Sequence, residues 1–189
     1  MKEFELFKKV IVGNFNNLKQ VEEEKNNGEV IHPICKHING ICNDKIMNLP
    51  ADFNSIFVIE ESYYTDTKTD RTNILPHLFL FEETESGQVR LVSYEIPKRI
   101  SKKDFTNANQ ELELDYNELE ISSKFNPMTY TYKKGEGFYG RSLSDFGNGM
   151  TFLLDETLSE NKFEVNEVLK REDRVIIGYE SPIIYYREV

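Results

Sequence analysis

Three apolar runs of strand length stand close together in the first half of the chain. They are Ile56-Phe57-Val58-Ile59-Glu60-Glu61-Ser62-Tyr63-Tyr64, Leu75-Pro76-His77-Leu78-Phe79-Leu80-Phe81 and Val89-Arg90-Leu91-Val92-Ser93-Tyr94. Short polar, turn-rich segments separate them, which predicts a meander of antiparallel strands over residues 53–97. Residues 84–88, Thr-Glu-Ser-Gly-Gln, supply a hairpin between the last two. The runs are too apolar for a sheet wet on one face, yet they carry carboxylates, an Arg and several Tyr. A curved sheet closing round an aromatic cavity accounts for both features.

Upstream, Phe7, Ile11, Phe15, Leu18 and Val21 recur at helical spacing, and Asn26-Asn27-Gly28 gives a stop. The pattern predicts one helix over 4–26, with Gly13 inside it either packing close on the sheet or marking a kink. A first strand is expected over 29–37, with Pro33 at an edge or bulge. Asn39-Gly40 reads as a turn and 44–50 as a loop. Residues 102–113 read as one or two short helices. Further strands follow at 128–133, 138–142, 150–154, 162–169, 174–179 and 183–189, with turns at 155–161 and 170–173. Many short strands behind a single front helix predict a mainly β, closed antiparallel barrel with an N-terminal helix, as one domain over 1–189.

Charge and composition narrow the function. The net charge of -10 opposes a phosphate-backbone partner or an anionic membrane surface. No apolar run reaches the ~20 residues of a membrane span, and the N-terminal residues lack a signal-peptide core. Two cysteines make no disulfide framework, so a reduced, cytoplasmic setting is expected. Trp is absent while Phe and Tyr number 13 and 10, so any flat ligand would meet Phe and Tyr.

Candidate chemistry is sparse. His32, Cys35, His37 and Cys42 are metal-capable, but their spacing is looser than in structural zinc sites, and no metal is expected. Gly135-x-Gly137-x-x-Gly140 matches a dinucleotide fingerprint only in letters, because strands are expected on both sides; it reads as a glycine hairpin. No nucleophile elbow, P-loop or catalytic triad is readable. The aromatic residues Phe79, Phe81, Tyr94, Phe138, Tyr139, Tyr185 and Tyr186 suit either a core or a ligand wall.

Several blocks together carry a resemblance. Gly13-Asn14-Phe15-Asn16-Asn17-Leu18-Lys19-Gln20 resembles the opening motif of the T-type phycobiliprotein lyases (the CpcT/CpeT family), Gly-x-Phe-x-Asn-x-x-Gln. Val58-Ile59-Glu60-Glu61-Ser62-Tyr63 is similar to the next block, with Glu61 in place of Gln, and residues 89–94 to the strand after it. Asp173-Arg174, Gly178, Pro182 and Tyr185 resemble the closing segment. The family's Pro-Tyr-Arg block stands here as Pro76-His77-Leu78, and its downstream cysteines are absent.

The resemblance implies a calycin or lipocalin-like barrel that carries an open-chain tetrapyrrole, a bilin, and helps attach it to a cysteine of a phycobiliprotein subunit. A bilin needs an apolar aromatic pocket, a carboxylate for its pyrrole N–H groups, and cations or hydroxyls for its propionates. On this reading Glu60 hydrogen-bonds or protonates pyrrole nitrogens as the catalytic group. Tyr63, Tyr94, Phe79 and Tyr139 wall the ligand, and Arg90 pairs with a propionate. Asn17 and Gln20 tie the helix to the sheet. The bilin is substrate, with no permanent cofactor, and an edge beside Pro33 leaves a homodimer open. The alternative is a non-enzymatic barrel for another small apolar or tetrapyrrole-like ligand.

Overall fold

The helix predicted over 4–26 is two helices with a strand between them. A computed structural model describes residues 3–188. Helix α1 (Glu3–Ile11) buries Phe4, Phe7, Val10 and Ile11 on one face, with Glu3 and Glu5 in its first turn and Lys8 and Lys9 in its last. Those charges complement the helix dipole at both ends. The helix stops because Gly13 takes φ +144, and the Arg187 guanidinium occupies the space a side chain at 13 would need. That guanidinium donates to the Val10 and Val12 carbonyls, each at 2.6 Å, and so satisfies acceptors a helix end leaves open. Strand β1 (Gly13–Asn16) and helix α2 (Leu18–Asn26) follow.

The remaining strands are β2 (Ile34–Ile41), β3 (Ile46–Met47), β4 (Ile56–Thr65), β5 (Thr72–Glu83), β6 (Val89–Tyr94), β7 (Leu114–Asp115), β8 (Met128–Lys133), β9 (Gly137–Gly147), β10 (Met150–Leu158), β11 (Lys162–Arg171), β12 (Arg174–Ile177) and β13 (Ile183–Arg187). Around the ring the order is β10-β9-β8-β6-β5-β4-β2-β1-β13-β11, and β10 pairs with β11 to close it. Every pairing in the ring is antiparallel. The fold is thus the expected closed antiparallel β-barrel of calycin-like form. Strand β12 lies on the free part of β11's edge, outside the ring, and β3 with β7 makes a small parallel pair.

The central meander has the predicted arrangement: β4 pairs with β5 and β5 with β6, with Glu60 opposite His77 and Phe79 opposite Ser93. The Gly135–Gly140 stretch forms the β8–β9 hairpin. Several local expectations fail, among them the first strand, which starts at Ile34 after Pro33 and not at residue 29, and the loop 44–50, which holds β3. Asn39 and Gly40 belong to β2, not to a turn. Asn39 points inward and its amide donates to the Ile11 carbonyl at 3.1 Å, while the outer side of Gly40 is covered by Asn107. Strand β10 continues through the polar stretch 155–158, because alternate residues there face the buried interior. Residues 102–113 form turns instead of helices, pinned by Phe105 and Leu112, which are buried against the barrel's outer wall.

Two cores result. The inner one fills the barrel's base: Phe7 of α1 stands 5.0 Å from Phe81, 5.0 Å from Tyr130 and 5.1 Å from Phe138, ring centre to ring centre. The outer one lies between β4–β6 and the strap 95–121, where Phe57, Ile59, Leu78, Leu80 and Val92 meet Phe105, Leu112 and Leu114. Strands β4 to β6 are therefore buried on both faces, which is why they read as nearly continuous apolar runs. Among the described residues no helix is long and apolar enough to cross a membrane.

Candidate ligand site in the barrel

Above the aromatic base, the inward positions turn polar. The alternation of β4 sends Val58, Glu60, Ser62 and Tyr64 inward and Ile59, Glu61 and Tyr63 outward. The register then places Asn39 of β2 and His77 of β5 on either side of Glu60. On the far wall, Glu156 of β10 and Glu167 of β11 face the same interior from adjacent strands. Three carboxyls thus share one enclosed space.

Their partners are tyrosines. The Tyr130 hydroxyl donates to Glu156, and the Tyr64 hydroxyl donates to Glu167 at 3.0 Å. Ser62 donates to Glu60 at 3.2 Å, and His37 Nδ1 lies 3.7 Å from the other Glu60 oxygen. Asn39 and Glu60 are both almost fully buried, as is His37 at 1% exposure. Among the described residues no Lys or Arg lies within 4.0 Å of these acids, so burial decides their protonation. It lifts Glu60 well above the usual carboxylate range, and the Glu156 and Glu167 charges push the same way. Burial likewise raises Glu156 to about 8, against the opposing Tyr130 hydrogen bond, and raises Glu167. Burial and then His77 hold His37 down to about 3, so its imidazole is neutral.

At pH 7 Glu156 is therefore largely protonated and His37 neutral, and burial shifts Glu60 and Glu167 toward their neutral forms beside the phenols. Several buried atoms lack partners among the described residues: both His37 ring nitrogens, Asn39 Oδ1 and the Tyr185 hydroxyl. Such atoms usually meet water or a ligand. Directly above them the barrel opens into a mouth cavity of about 340 Å³, walled by Tyr64, His77, Phe125, Phe152, Glu167 and Tyr179. One side of the mouth is fixed by Gly178. It takes φ +100 and presses against the Glu167 carbonyl, where a Cβ has no room.

The expected site residues divide between the two faces of the wall. Glu60 and Phe79 point inward, as the site requires. Tyr63, Arg90, Tyr94 and Tyr139 point outward, the opposite face in a strand of period two, and so do not meet Glu60. Tyr63 donates to Glu61 at 2.6 Å on the outside, and Arg90 is exposed and paired with Glu82. Tyr94 packs against Phe57 in the outer core, and Tyr139 is exposed beside Asp155. Glu60 lies below the cavity, so the acid on the cavity wall itself is Glu167. The polar stretch 155–161 reads as a turn and so hides Glu156, whereas Glu167 lies in the expected strand 162–169, where alternation with Phe163 and Val165 places it inside.

Other expectations concern support. Asn17 accepts from the Cys35 amide at 2.7 Å and donates to the Pro33 carbonyl at 2.8 Å. Gln20 donates to the Pro182 carbonyl at 3.0 Å and accepts from the Ile184 amide at 2.9 Å. Both tie α2 to the sheet, as anticipated. Glu61, where the resembling family has Gln, accepts from the backbone and side-chain N–H groups of Asn107, each at 2.8 Å, and so fastens the outer strap. The four metal-capable residues do not converge. Cys35 and His37 face the interior, Cys42 lies in the outer core, and His32 pairs with Glu24. No group of three or more such side chains is close enough to hold a metal among the described residues.

No protein-family model matches the chain, and no curated protein matches it.

Proposed function

We propose that the barrel binds a flat, largely apolar molecule with basic or N–H-bearing nitrogens. A linear tetrapyrrole handled in the manner of the T-type phycobiliprotein lyases is the reading we favour. The observation that carries it is a group of carboxyls that burial biases toward their neutral forms, Glu60 and Glu156 beneath an open aromatic mouth and Glu167 on its wall. A neutral carboxyl can give its proton to a ring nitrogen and remain as the counter-ion of the cation it creates. That exchange changes no net charge in the enclosed space, which suits a chromophore whose spectrum and reactivity depend on protonation.

In the lyase reading, the acceptor's thiol adds across an exocyclic double bond of the bilin. Sulfur bonds to one carbon, the proton ends on the other side of the conjugated system, and no group leaves. The nucleophile belongs to the acceptor, so the chain needs only to hold and polarise the bilin. Two free, buried cysteines are in keeping with a reducing cytoplasm as the setting.

A second reading, a carrier for another apolar ligand without transfer, is favoured by the outward placement of Arg90 and Tyr94. One titration separates the two. Purified protein is mixed with a linear tetrapyrrole and its visible spectrum followed; an apo-phycobiliprotein subunit is then added and the covalent adduct sought on a denaturing gel. A spectral shift with transfer is the expected result. A shift without transfer selects the carrier. No shift removes the tetrapyrrole. Glu167→Gln should alter the bound spectrum, and an unchanged spectrum would take Glu167 out of the site.

A further inference from the structure

Beside the mouth lies a second cavity of about 350 Å³, and the two share His77 and Phe125 as a common wall. It opens where β6 ends at Tyr94 while β5 continues toward the mouth through His77 and Pro76. Its floor is Phe79, Tyr94 and Ile96. Its rim is unlike the rest of this acidic chain: Lys98, Lys102 and Lys124 all border it. The rim's carboxylate, Glu95, is already engaged, accepting from Ser122 at 2.6 Å with Lys124 3.9 Å away. Lys98 and Lys102 have no carboxylate within 4.0 Å among the described residues. The Ser93 hydroxyl and the His77 ring complete a polar lining between the lysines and the aromatic mouth.

We propose that this lysine-rimmed cavity receives the carboxylate end of the ligand whose apolar body fills the mouth, so that the ligand class is an amphipathic carboxylic acid. This rests on the small-molecule reading above and narrows it. Burial biases the acids of the barrel toward their neutral forms, which do not repel an anion. The lysines stand at the opening, where an anionic group keeps partial hydration while its apolar portion passes His77 and Phe125. The outer face of Arg90, expected to fill this role, is on the wrong side of the wall. Lys98 and Lys102 take it from the strap that follows β6.

The test compares two acids with their methyl esters: biliverdin with its dimethyl ester, and cis-parinaric acid with its methyl ester. Binding is read by absorbance or fluorescence for wild type and for the double variant K98Q/K102Q. Both lysines are exposed, so the variant keeps the wild-type fold, checked by an unchanged circular dichroism spectrum and melting temperature. The expected result is that each acid binding the wild type does so about tenfold more tightly than its ester, an advantage that salt weakens and K98Q/K102Q abolishes. The esters should bind wild type and variant alike. Equal binding of acid and ester, or an acid advantage that survives in K98Q/K102Q, overturns the proposal. If parinaric acid shows the lysine-dependent advantage and biliverdin does not bind, the tetrapyrrole reading falls and the carboxylate site stands. If neither acid binds, both fall.

Discussion

Glu156 is held in the barrel wall by the Tyr130 hydroxyl and, among the described residues, by no ion pair. Its value of about 8 against an ordinary 4.5 means the folded chain keeps a proton that the unfolded chain releases. Protons bound in excess by the folded state make stability fall as pH rises. The contribution is full below pH 4.5 and is lost as pH climbs toward 8; Glu60 and Glu167, also raised, act in the same direction. His37, lowered from 6.5 to about 3, acts oppositely, its contribution lost as pH falls through that range. Above pH 6.5 only the carboxyls remain in play. The ligand-free protein should therefore lose stability between pH 6.5 and 8, at up to about 1.4 kcal/mol per pH unit from Glu156. Glu156→Gln keeps the acceptor for Tyr130 and removes the titration. Chemical denaturation at pH 6.5 and pH 8 should show a smaller loss in the variant, and an equal loss would mean Glu156 is ionised in the folded state.

At the scale of elements, α1 is a stopper more than a surface helix. Phe7 reaches three aromatic rings inside the base, and α2 by contrast exposes Leu18 at 52%. Phe7→Ala should cost about 3–5 kcal/mol in urea unfolding, as expected for an aromatic removed from a closed core. Leu18→Ala should stay within about 0.5 kcal/mol. Comparable losses at both sites would contradict the plugged base. The same contrast explains what the sequence made legible. The helical spacing of Phe7 and Ile11 was visible, but a single glycine decides whether the helix continues, and the partner that fills Gly13's empty side, Arg187, is remote in sequence. The strands β4 to β6 were legible from their apolar runs. Their two faces were not, because the strap over residues 95–121 buries the outer face and erases the alternation that would have assigned Tyr63, Arg90 and Tyr94. Residues 155–158 looked like a turn because they are polar, although polarity there belongs to a lined interior.

The whole molecule is a barrel with unlike ends. Aromatic side chains fill the base, titratable ones occupy the middle, and the mouth is bordered by Pro33, Asn73, Gly178, Tyr179 and Ser181. Bound ligand should show up at that rim and leave the base unchanged. Hydrogen exchange should slow at amides of 178–181 and of Tyr64 when ligand is added, while the ladder-bonded amides of β1 and β2 near α1 show no change. Protection gained only around α1 would move the site to the other end.

The seam of the ring has a kinetic side. Strand β1 sits between β2 and β13, with Phe15 opposite His37 on one flank and Arg187 on the other. One neighbour, β2, follows it closely in sequence, and the other, β13, lies far downstream. Until that late strand arrives, an early edge waits unzipped beside a stopper that nothing yet clamps. The ring therefore closes only when two segments far apart in sequence meet, and the enclosed acids lose their water at that step.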